Sequence, residues 1–383
     1  MNAPNEPVTS GTATLGWTFS DVEPAAHFAD DYAQARAKFL AAASARKLDV
    51  QTHVHPDARG PDGETLAIDV AELGPRDAQS ALLITSGTHG AEGFCGSGCQ
   101  IGLLADDAFV ASVERHGSAV ILVHALNPYG FAHLARTTEE NVDLNRNFRD
   151  FAAPVRNDDY LRVHDFIVPA TWPPAPDNEM RIGQYVAAHG AFALQQAITS
   201  GQSDRADGLF FAGARAAWSQ QTLREVLRQH ASRRRGLAWI DIHTGLGPAG
   251  HGEKIFAGPD DATMLARAKA FWGADVTSIW DGSSTSAKVT GMLFNAALEE
   301  CPESEYTGIA LEYGTQSFMD VLNALRARQW LSNHPEADAQ TRSSILRRVR
   351  DAFYVDTPAW KAMVYGQARA SAWQALVGLA EKR

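Results

Sequence analysis

Two histidines and one glutamate have the spacing expected of a metal site. His89 and Glu92 are three residues apart, which places both side chains on one face of a turn or helix start. A catalytic zinc takes three nitrogen or oxygen ligands from the protein and leaves one position open for water. His243 is the candidate third ligand, because it ends an apolar run and precedes a Thr-Gly turn. The pattern predicts a zinc site, although H-x-x-E also occurs by chance and a single histidine is often structural.

Asp241 is a candidate for supporting this site. It lies two residues before His243, so the two side chains share one face of a strand. A carboxylate in that position could orient the imidazole of a metal ligand through its second nitrogen. A buried aspartate that is hydrogen-bonded for structural reasons alone fits the same pattern, and both interpretations stay open at this point.

A polar segment after the second apolar run carries residues that bind anions. Arg136 and Arg146 each offer a planar fork of donors that matches a carboxylate or an oxyanion, and Asn145 adds an amide donor. Two arginines near a metal motif in a net-acidic protein suggest an anionic substrate. The alternative is that Arg146 forms a surface ion pair with Asp143 or Asp150.

Glu312 stands in a run that is otherwise apolar, Ile-Ala-Leu-Glu-Tyr at 309–313. A buried carboxylate is unfavourable unless it has a partner or a function. Next to a metal site it could act as a general base. A carboxylate that simply faces solvent at a strand end is the alternative.

The apolar runs that precede these residues predict the elements that position them. Residues 81–86, 119–124, 237–243 and 308–313 are predicted to be buried strands, separated by segments with helical spacing. This alternation predicts an α/β protein with a largely parallel sheet. Ligands bind such sheets beyond the carboxyl ends of the strands, where all of the candidate residues fall.

The composition excludes several classes of protein. The 383 residues are 45% hydrophobic and 21% charged, which is typical of a globular chain. With 34 basic and 45 acidic residues, the net charge of −11 argues against nucleic acid or an anionic membrane as the main partner. The apolar runs are too short to span a bilayer, no signal peptide is visible, and three cysteines are too few for a disulfide framework. We therefore expect a cytoplasmic protein.

Taken together, these residues resemble the motifs of the zinc carboxypeptidase family. That family carries H-x-x-E, an N-P-x-G strand end, an arginine, an N-R pair, a distant histidine and a late glutamate. The matching positions here are His89 and Glu92, residues 127–130, Arg136, Asn145 and Arg146, His243, and Glu312. Asp-Leu-Asn-Arg at 143–146 resembles the succinylglutamate desuccinylase and aspartoacylase side of the family. Gly-Leu-Phe-Phe at 208–211 resembles a little-characterised bacterial branch.

The resemblance implies a fold and a role for each residue. The fold would be α/β, with a mixed, mostly parallel sheet of eight strands flanked by helices. Glu312 would take a proton from the attacking water, and Arg136 would stabilise the oxyanion. Asn145 and Arg146 would bind the free carboxylate of the substrate. One zinc ion per chain would be bound by His89, Glu92 and His243.

The implied domain organisation is simple. Residues 1–20 form a loose lead-in, and residues 21–383 form one catalytic domain with an insertion around 151–208 that is predicted to be irregular. The family's carboxypeptidases also carry a tyrosine near the leaving group, and Tyr306, Tyr313 and Tyr354 are all candidates without a matching context.

The implied function is zinc-dependent hydrolysis of an amide bond next to a free carboxylate, on small peptides. An N-acyl amino-acid deacylase of the aspartoacylase or desuccinylase type is the alternative, and the insertion slightly favours such small substrates. A binding module that keeps zinc without catalysis would lack the base or the oxyanion residue, yet Glu312 and Arg136 are both present. A purely structural zinc would need a fourth protein ligand. The oligomeric state is left open.

Overall fold

A computed structural model describes residues 23–381 of the protein. The predicted lead-in at residues 1–20 lies outside the described residues. The assignment of residues 21–383 to a single catalytic domain stays a prediction. None of the described helices is both long and apolar enough to cross a membrane.

The described part of the chain forms a mixed sheet of seven strands. Its spatial order is β1-β2-β4-β3-β5-β7-β6. Strands β4, β3, β5 and β7 are parallel to one another. On one side β2 pairs antiparallel with β4 and β1 pairs antiparallel with β2, and on the other side β6 pairs antiparallel with β7. The strands are β1 Val50–Arg59, β2 Thr65–Leu73, β3 Ser80–Thr85, β4 Ala119–His124, β5 Gly236–Ala249, β6 Gly252–Phe256 and β7 Glu305–Gly314.

Helices cover both faces of the sheet, which explains why its central strands are continuous apolar runs. In β3, Leu82 and Ile84 pack into the core on one face, while Ala81 and Leu83 pack into the core on the other. The helices are α1 Tyr32–Ala45, α2 Gly93–Ala105, α3 Asp107–His116, α4 Pro128–Ala132, α5 Asp158–Ile167, α6 Pro176–His189, α7 Ala191–Thr199, α8 Trp218–Val226, α9 Ala262–Trp272, α10 Asn295–Glu300, α11 Phe318–Asn333, α12 Ala339–Phe353 and α13 Pro358–Ala380.

The predicted α/β class is confirmed, but the count of eight strands is wrong for the described residues. Beside β6, the chain pairs through Thr277 alone, which forms an isolated parallel bridge with Ile255. The residues that follow form local bonds instead of a ladder: Ser278 Oγ accepts from the backbone of Trp280, and Ser283 Oγ accepts from the backbone of Ser278. Such side chain–backbone bonds compete with strand pairing.

The insertion at 151–208 is more regular than the sequence suggested. Three helices, α5, α6 and α7, occupy most of it and form a core of their own with α11 and α12. The helical spacing at 180–198 belongs to two helices, because Gly190 breaks the pattern at a φ of +89°. The insertion therefore forms an ordered helical layer that packs with α11 and α12.

Candidate active site

A cleft lies beyond the carboxyl ends of β3, β5 and β7, where an α/β sheet is expected to bind ligands. Its empty volume, including the open mouth, is about 970 Å³. His89, Glu92, Arg136, Asn145, Arg146, His243 and Glu312 all line it. Seven candidates from distant parts of the sequence are thus brought to one place.

The three candidate metal ligands converge in this cleft. Nδ1 of His89 lies 3.0 Å from Oε1 of Glu92, and Nδ1 of His243 lies 3.0 Å from Oε2 of the same carboxylate. One ligand atom from each residue lies within 4.8 Å of the other two, and all three residues are buried. Among the described residues, this is the group whose donors meet the spacing of a metal site.

Close packing of two motifs places the first two ligands. His89 directly precedes a 3-10 turn, Gly90–Glu92, that leads into α2. Gly90 lies so close to the backbone of Gly130 that a Cβ would have no room. Backbone N–H groups of Gly90 and Ala91 donate to the carbonyls of Arg136 and Ala135. The turn that carries the ligands is therefore fixed against the segment after β4.

A second carboxylate contacts the far nitrogen of each histidine. Nε2 of His89 lies 3.2 Å from Oδ1 of Asp143, and Nε2 of His243 is hydrogen-bonded to Oδ2 of Asp241. Asp241 is itself fixed, since its Oδ1 accepts from Thr85 Oγ1 at 2.5 Å and from Thr88 Oγ1 at 2.8 Å. This arrangement presents the Nδ1 atoms to the cleft, as carboxylate–histidine–metal sites do.

The electrostatics of the cluster fit a cation. Burial acts to raise the pKa of Glu92, but the charges and hydrogen bonds of His89 and His243 outweigh burial and lower that pKa. Burial acts to lower the pKa of His243, yet Asp241 and Glu92 raise it well above the ordinary range. Two imidazoles and one carboxylate, with further carboxylates behind them, are a donor set that suits zinc.

Glu312 lies beside the candidate ligands on the next strand. It is the register partner of His243 in the parallel β5–β7 pair, so the two side chains share one face of the sheet. Its Oε1 accepts a hydrogen bond from the backbone N–H of Leu246 at 3.0 Å. Burial, together with the negative charge of Glu92, raises the pKa of Glu312 to about 8. A carboxyl group of this kind is suited to accept a proton near neutral pH.

Arg136 bridges the metal cluster and the rest of the cleft. Its Nε donates to Asp143 Oδ2 at 2.9 Å, and its Nη1 lies 3.3 Å from Oε1 of Glu92. Arg136 and Arg146 both act to lower the pKa of Asp143, and they prevail over its burial. The carboxylate of Asp143 thus contacts both Arg136 and the candidate ligand His89.

Arg146 is buried rather than paired on the surface, so the surface ion pair considered for it is not formed. Its Nε and Nη2 donate to the carbonyl of Thr199 at 2.9 and 2.6 Å, and its Nη1 donates to the carbonyl of Asn145 at 2.7 Å. Burial, the largest cause, and the nearby Arg136 lower its pKa to about 10. Gly201, at a φ of +98°, allows the close approach, because a Cβ there would lie 2.8 Å from Cδ of Arg146.

These contacts leave donors available to a ligand. A guanidinium has five N–H groups, so one hydrogen remains on Nη1 and one on Nη2 of Arg146. Oδ1 of Asn145 accepts from the backbone of Leu293 at 3.0 Å, which leaves its Nδ2 group as a donor in the cleft that it lines. The pair can therefore receive an anion by several hydrogen bonds at once.

Apolar side chains form most of the remaining cleft wall, which also includes the polar Gln195, Thr199, Thr244 and Ser286. One group comes from β6 and the segment before α10, and the other comes from α11 and the end of α12. The first group is Ile255, Phe256, Ile279, Val289, Met292 and Phe294, and the second is Phe318, Val321, Leu322, Leu325 and Phe353. The acidic residues among the lining residues are Glu92 and Glu312 alone.

Sequence reasoning missed two residues of this site. In the sequence, Asp143 stands out only as part of a motif and as a possible partner of Arg146. Its carboxylate, two residues before Asn145, could have indicated a residue of the site. Phe210, whose ring lines the cleft, gave no signal of spacing or charge. The tyrosine candidates do not line the cleft: Tyr306 and Tyr313 donate their hydroxyl hydrogens to the carbonyls of Ala257 and Val364.

Comparison with solved structures shows the fold. Bovine thrombin-activatable fibrinolysis inhibitor, solved in complex with tick carboxypeptidase inhibitor, is similar with a TM-score of 0.51 and 8% identity, over 93% of this chain and 99% of that chain. Carboxypeptidase A from Helicoverpa armigera matches with a TM-score of 0.43 and 14% identity, over 84% and 74% of the two chains. A metallo-carboxypeptidase from Burkholderia cenocepacia matches with a TM-score of 0.36 and 13% identity, over 83% and 68%.

The carboxypeptidase-like fold implied by the sequence motifs is therefore confirmed. No curated protein matches the sequence. A family model described as a protein of unknown function, DUF2817, matches residues 28–367, and the chain belongs to that family.

Proposed function

We propose that the protein is a zinc-dependent hydrolase that cleaves an amide bond adjacent to a free carboxylate. The observation that carries the proposal is the convergence of His89, Glu92 and His243 in one cleft with a buried carboxyl group and two guanidinium groups. His89, Glu92 and His243 would hold the ion. When bound, zinc would polarise the scissile carbonyl and lower the pKa of a water molecule.

Glu312 is the proposed proton carrier. Its Oε1 is occupied by the N–H of Leu246, so Oε2 is the oxygen that accepts a proton from the attacking water. The same oxygen then delivers that proton to the nitrogen of the leaving amine. Burial raises the pKa of this carboxyl group, which favours the uptake of the proton from water.

Arg136 and the pair Asn145 and Arg146 have separate proposed tasks. Arg136 lies against the ligand carboxylate of Glu92, where its guanidinium would donate to the carbonyl oxygen as negative charge develops on it. The remaining N–H groups of Arg146 and Nδ2 of Asn145 would bind the free carboxylate. This places the scissile bond between a site for the oxyanion and a site for the anion of the substrate.

The apolar wall of the cleft determines which substrate substituents fit next to the scissile amide bond. A basic side chain would find no carboxylate among the lining residues except Glu92 and Glu312, which have other tasks in the proposal. Apolar substituents would instead gain about 25 cal/mol for each Å² that they remove from water. We propose that substrates carry an apolar group next to the free carboxylate.

Helix α7 and the loop before α10 together form what we call the cover of the cleft. This cover favours small substrates, so an N-acyl amino-acid deacylase stays the second candidate. Helix α7 is joined to the loop before α10: Nε2 of Gln195 donates to the carbonyl of Thr285 at 3.0 Å. Gln196 exchanges two hydrogen bonds with the backbone of Lys288. A dipeptide or an acylated amino acid needs no open groove, whereas a long peptide does.

A metal analysis combined with a substrate screen tests the proposal. Purified protein should contain about one zinc per chain, as a single catalytic site requires. It should hydrolyse dipeptides and N-acyl amino acids with apolar side chains, and it should not hydrolyse the same compounds as carboxyl-terminal amides. A chelator should abolish the activity and added zinc should restore it. Protein carrying Glu312→Gln, prepared identically, controls for contaminating peptidases.

The possible results separate the candidates. Hydrolysis of acylated amino acids without hydrolysis of dipeptides would select the deacylase. Bound zinc without turnover of any free acid would support a binding module. Protein that takes up no divalent metal would refute the zinc hydrolase. The cytoplasmic location remains a prediction that the distribution of the native protein between cell fractions would test.

A further inference from the structure

Phe210 has a backbone conformation that a bulky residue rarely adopts. It lies between α7 and α8, its φ is +53°, and its side chain is buried. The left-handed region favours glycine, and other residues remain there only when their surroundings enforce it. Filling apolar space does not explain this conformation, because a leucine with an ordinary backbone could do the same. The strained backbone at this position of the cleft wall therefore needs another explanation.

Hydrogen bonds from several directions hold this segment in place. The backbone N–H of Leu209 donates to the hydroxyl of Tyr160 at 2.7 Å, and the backbone N–H of Gln202 donates to the carbonyl of Phe210 at 3.3 Å. On the far side, the backbone N–H of Asp143 donates to the carbonyl of Phe211 at 2.8 Å. The last bond ties the residue after Phe210 to the backbone of Asp143, whose carboxylate contacts His89 and Arg136.

The ring of Phe210 lies against both guanidinium groups of the cleft. Its centroid is 4.8 Å from Cζ of Arg136 and 5.5 Å from Cζ of Arg146. Both distances are within the range in which a cation is attracted to an aromatic face. The two arginines repel each other. The carboxylate of Asp143 accepts a hydrogen bond from the guanidinium of Arg136 but none from that of Arg146, whose side-chain hydrogen bonds go to backbone carbonyls.

We propose that Phe210 is a positioning residue that sets the distance and orientation between Arg136 and Arg146. Because the proposed function assigns the oxyanion to Arg136 and the substrate carboxylate to Arg146, the ring would fix the span between the two ends of the reacting amide. The insertion and the segment that follows it are then part of the active site, since the insertion supplies the Thr199 carbonyl and the following segment supplies this ring. The catalytic consequence of this proposal rests on the proposed function.

The test compares three variants of neighbouring positions. Phe210→Leu keeps an apolar side chain and removes the aromatic face, whereas Phe210→Tyr keeps the face. Phe211→Leu is the matched control, because Phe211 is a buried ring in the same segment that packs in a different core, on the face of the sheet. Melting temperatures establish that each variant folds, and Phe210→Met replaces Phe210→Leu if the latter does not.

Two readouts decide the outcome. In kinetics on free-acid substrates, Phe210→Leu should raise KM and lower kcat, with a combined loss in kcat/KM of about tenfold, while Phe210→Tyr and Phe211→Leu stay within about threefold of wild type. In labelling with phenylglyoxal, mapped by mass spectrometry, Phe210→Leu alone should change the rates at Arg136 and Arg146.

The labelling needs no substrate, so it tests the ring even if the hydrolase proposal fails. A wild-type protein that turns over no free acid would refute the hydrolase, and the labelling rates would then decide for Phe210. The positioning role is refuted if Phe210→Leu behaves like Phe211→Leu in labelling. It is also refuted if folded Phe210→Tyr is as impaired as Phe210→Leu.

Discussion

The two sides of the cleft are built in different ways. On the sheet side, His243 and Glu312 lie in paired strands, and His89 and Glu92 lie just beyond the end of β3. The other side, here called the insertion side, is formed by the insertion and by the segments that carry Arg146 and Phe210. Arg146 ends a short 3-10 turn and Phe210 lies in a loop, and both are held by hydrogen bonds to backbone groups. The groups that would hold a metal or move a proton thus lie on or next to the sheet, while those that would contact the substrate lie in connections.

This difference has a physical consequence for the effect of mutations. Strand register fixes the sheet side independently of any one side chain, so substitutions there should remove chemistry without moving neighbours. The insertion side depends on individual hydrogen bonds, each contributing about 1 kcal/mol, so substitutions there should change geometry by small steps. Asp143 joins the two sides, since it contacts His89 as well as Arg136.

The largest effect is expected from His243→Ala. Removing one of three ligands leaves too few donors for a catalytic zinc, so metal content should fall from about one per chain to near zero and hydrolysis should fall to background. Elemental analysis after dialysis measures the metal content, and initial rates measure the hydrolysis. His251→Ala is the control, because His251 is exposed in the turn that connects β5 to β6. Stoichiometric zinc in His243→Ala would remove this residue from the ligand set.

Glu312→Gln is expected to separate chemistry from metal binding. The amide cannot accept the proton of the attacking water, so kcat should fall about 10²- to 10⁴-fold while zinc content is unchanged. Glu253→Gln is the matched control. Glu253 is a buried carboxylate opposite Glu312 on β6, bonded to Thr277 and Thr285 and outside the cleft lining. Equal losses in both variants would mean that the effect comes from the strand pair rather than from a base.

Most of the sheet side was predictable from the sequence. The four central strands were found because strands covered on both faces must be continuously apolar, and the candidate residues stood at their ends. Residues 65–73 alternate in hydrophobicity in a way that also predicts a strand, and they form β2. Strands β1 and β6 were missed: β1 is polar and contains Pro56, as is typical of an edge strand, and β6 has only five residues.

The insertion side was predictable only in part. Arg136, Asn145 and Arg146 stood out by residue type, and the structure brings them to the cleft. The carbonyl of Thr199 and the ring of Phe210 could not be anticipated, because a backbone acceptor and an apolar ring have no signature in a sequence. Their roles depend on how α5, α6 and α7 pack against α11, which is a tertiary property.

Asp241→Asn should have an intermediate effect on the sheet side. The amide cannot accept from Nε2 of His243 with the strength of a carboxylate, so zinc affinity should fall about 10- to 100-fold. At saturating zinc, kcat should be largely retained. Competition with a chromophoric chelator measures the affinity. Asp69→Asn is the control, because Asp69 is an equally buried carboxylate on β2 that pairs with Arg36. Unchanged zinc affinity in Asp241→Asn would make Asp241 a purely structural residue.

The smallest effect is expected on the insertion side, from Gln196→Ala. The variant removes the two hydrogen bonds that join α7 to Lys288, while Gln195 still bonds to the carbonyl of Thr285. Because these bonds are partly exposed, we expect a loss of about 1 kcal/mol in the free energy of unfolding and little change in kcat on a dipeptide.

The informative quantity for Gln196→Ala is selectivity by substrate length. A looser contact between α7 and the loop should raise kcat/KM for a tetrapeptide relative to a dipeptide by roughly two- to fivefold. The reason is that the hydrogen bonds of Gln196 no longer contribute about 1 kcal/mol to holding the two segments together. Gln221→Ala is the control. Gln221 lies on α8, outside the cleft lining, and its side chain donates to the carbonyl of Ala216 just before that helix. If Gln196→Ala destabilises the protein without changing that ratio, the contact between α7 and the loop serves stability alone, and substrate length is limited elsewhere.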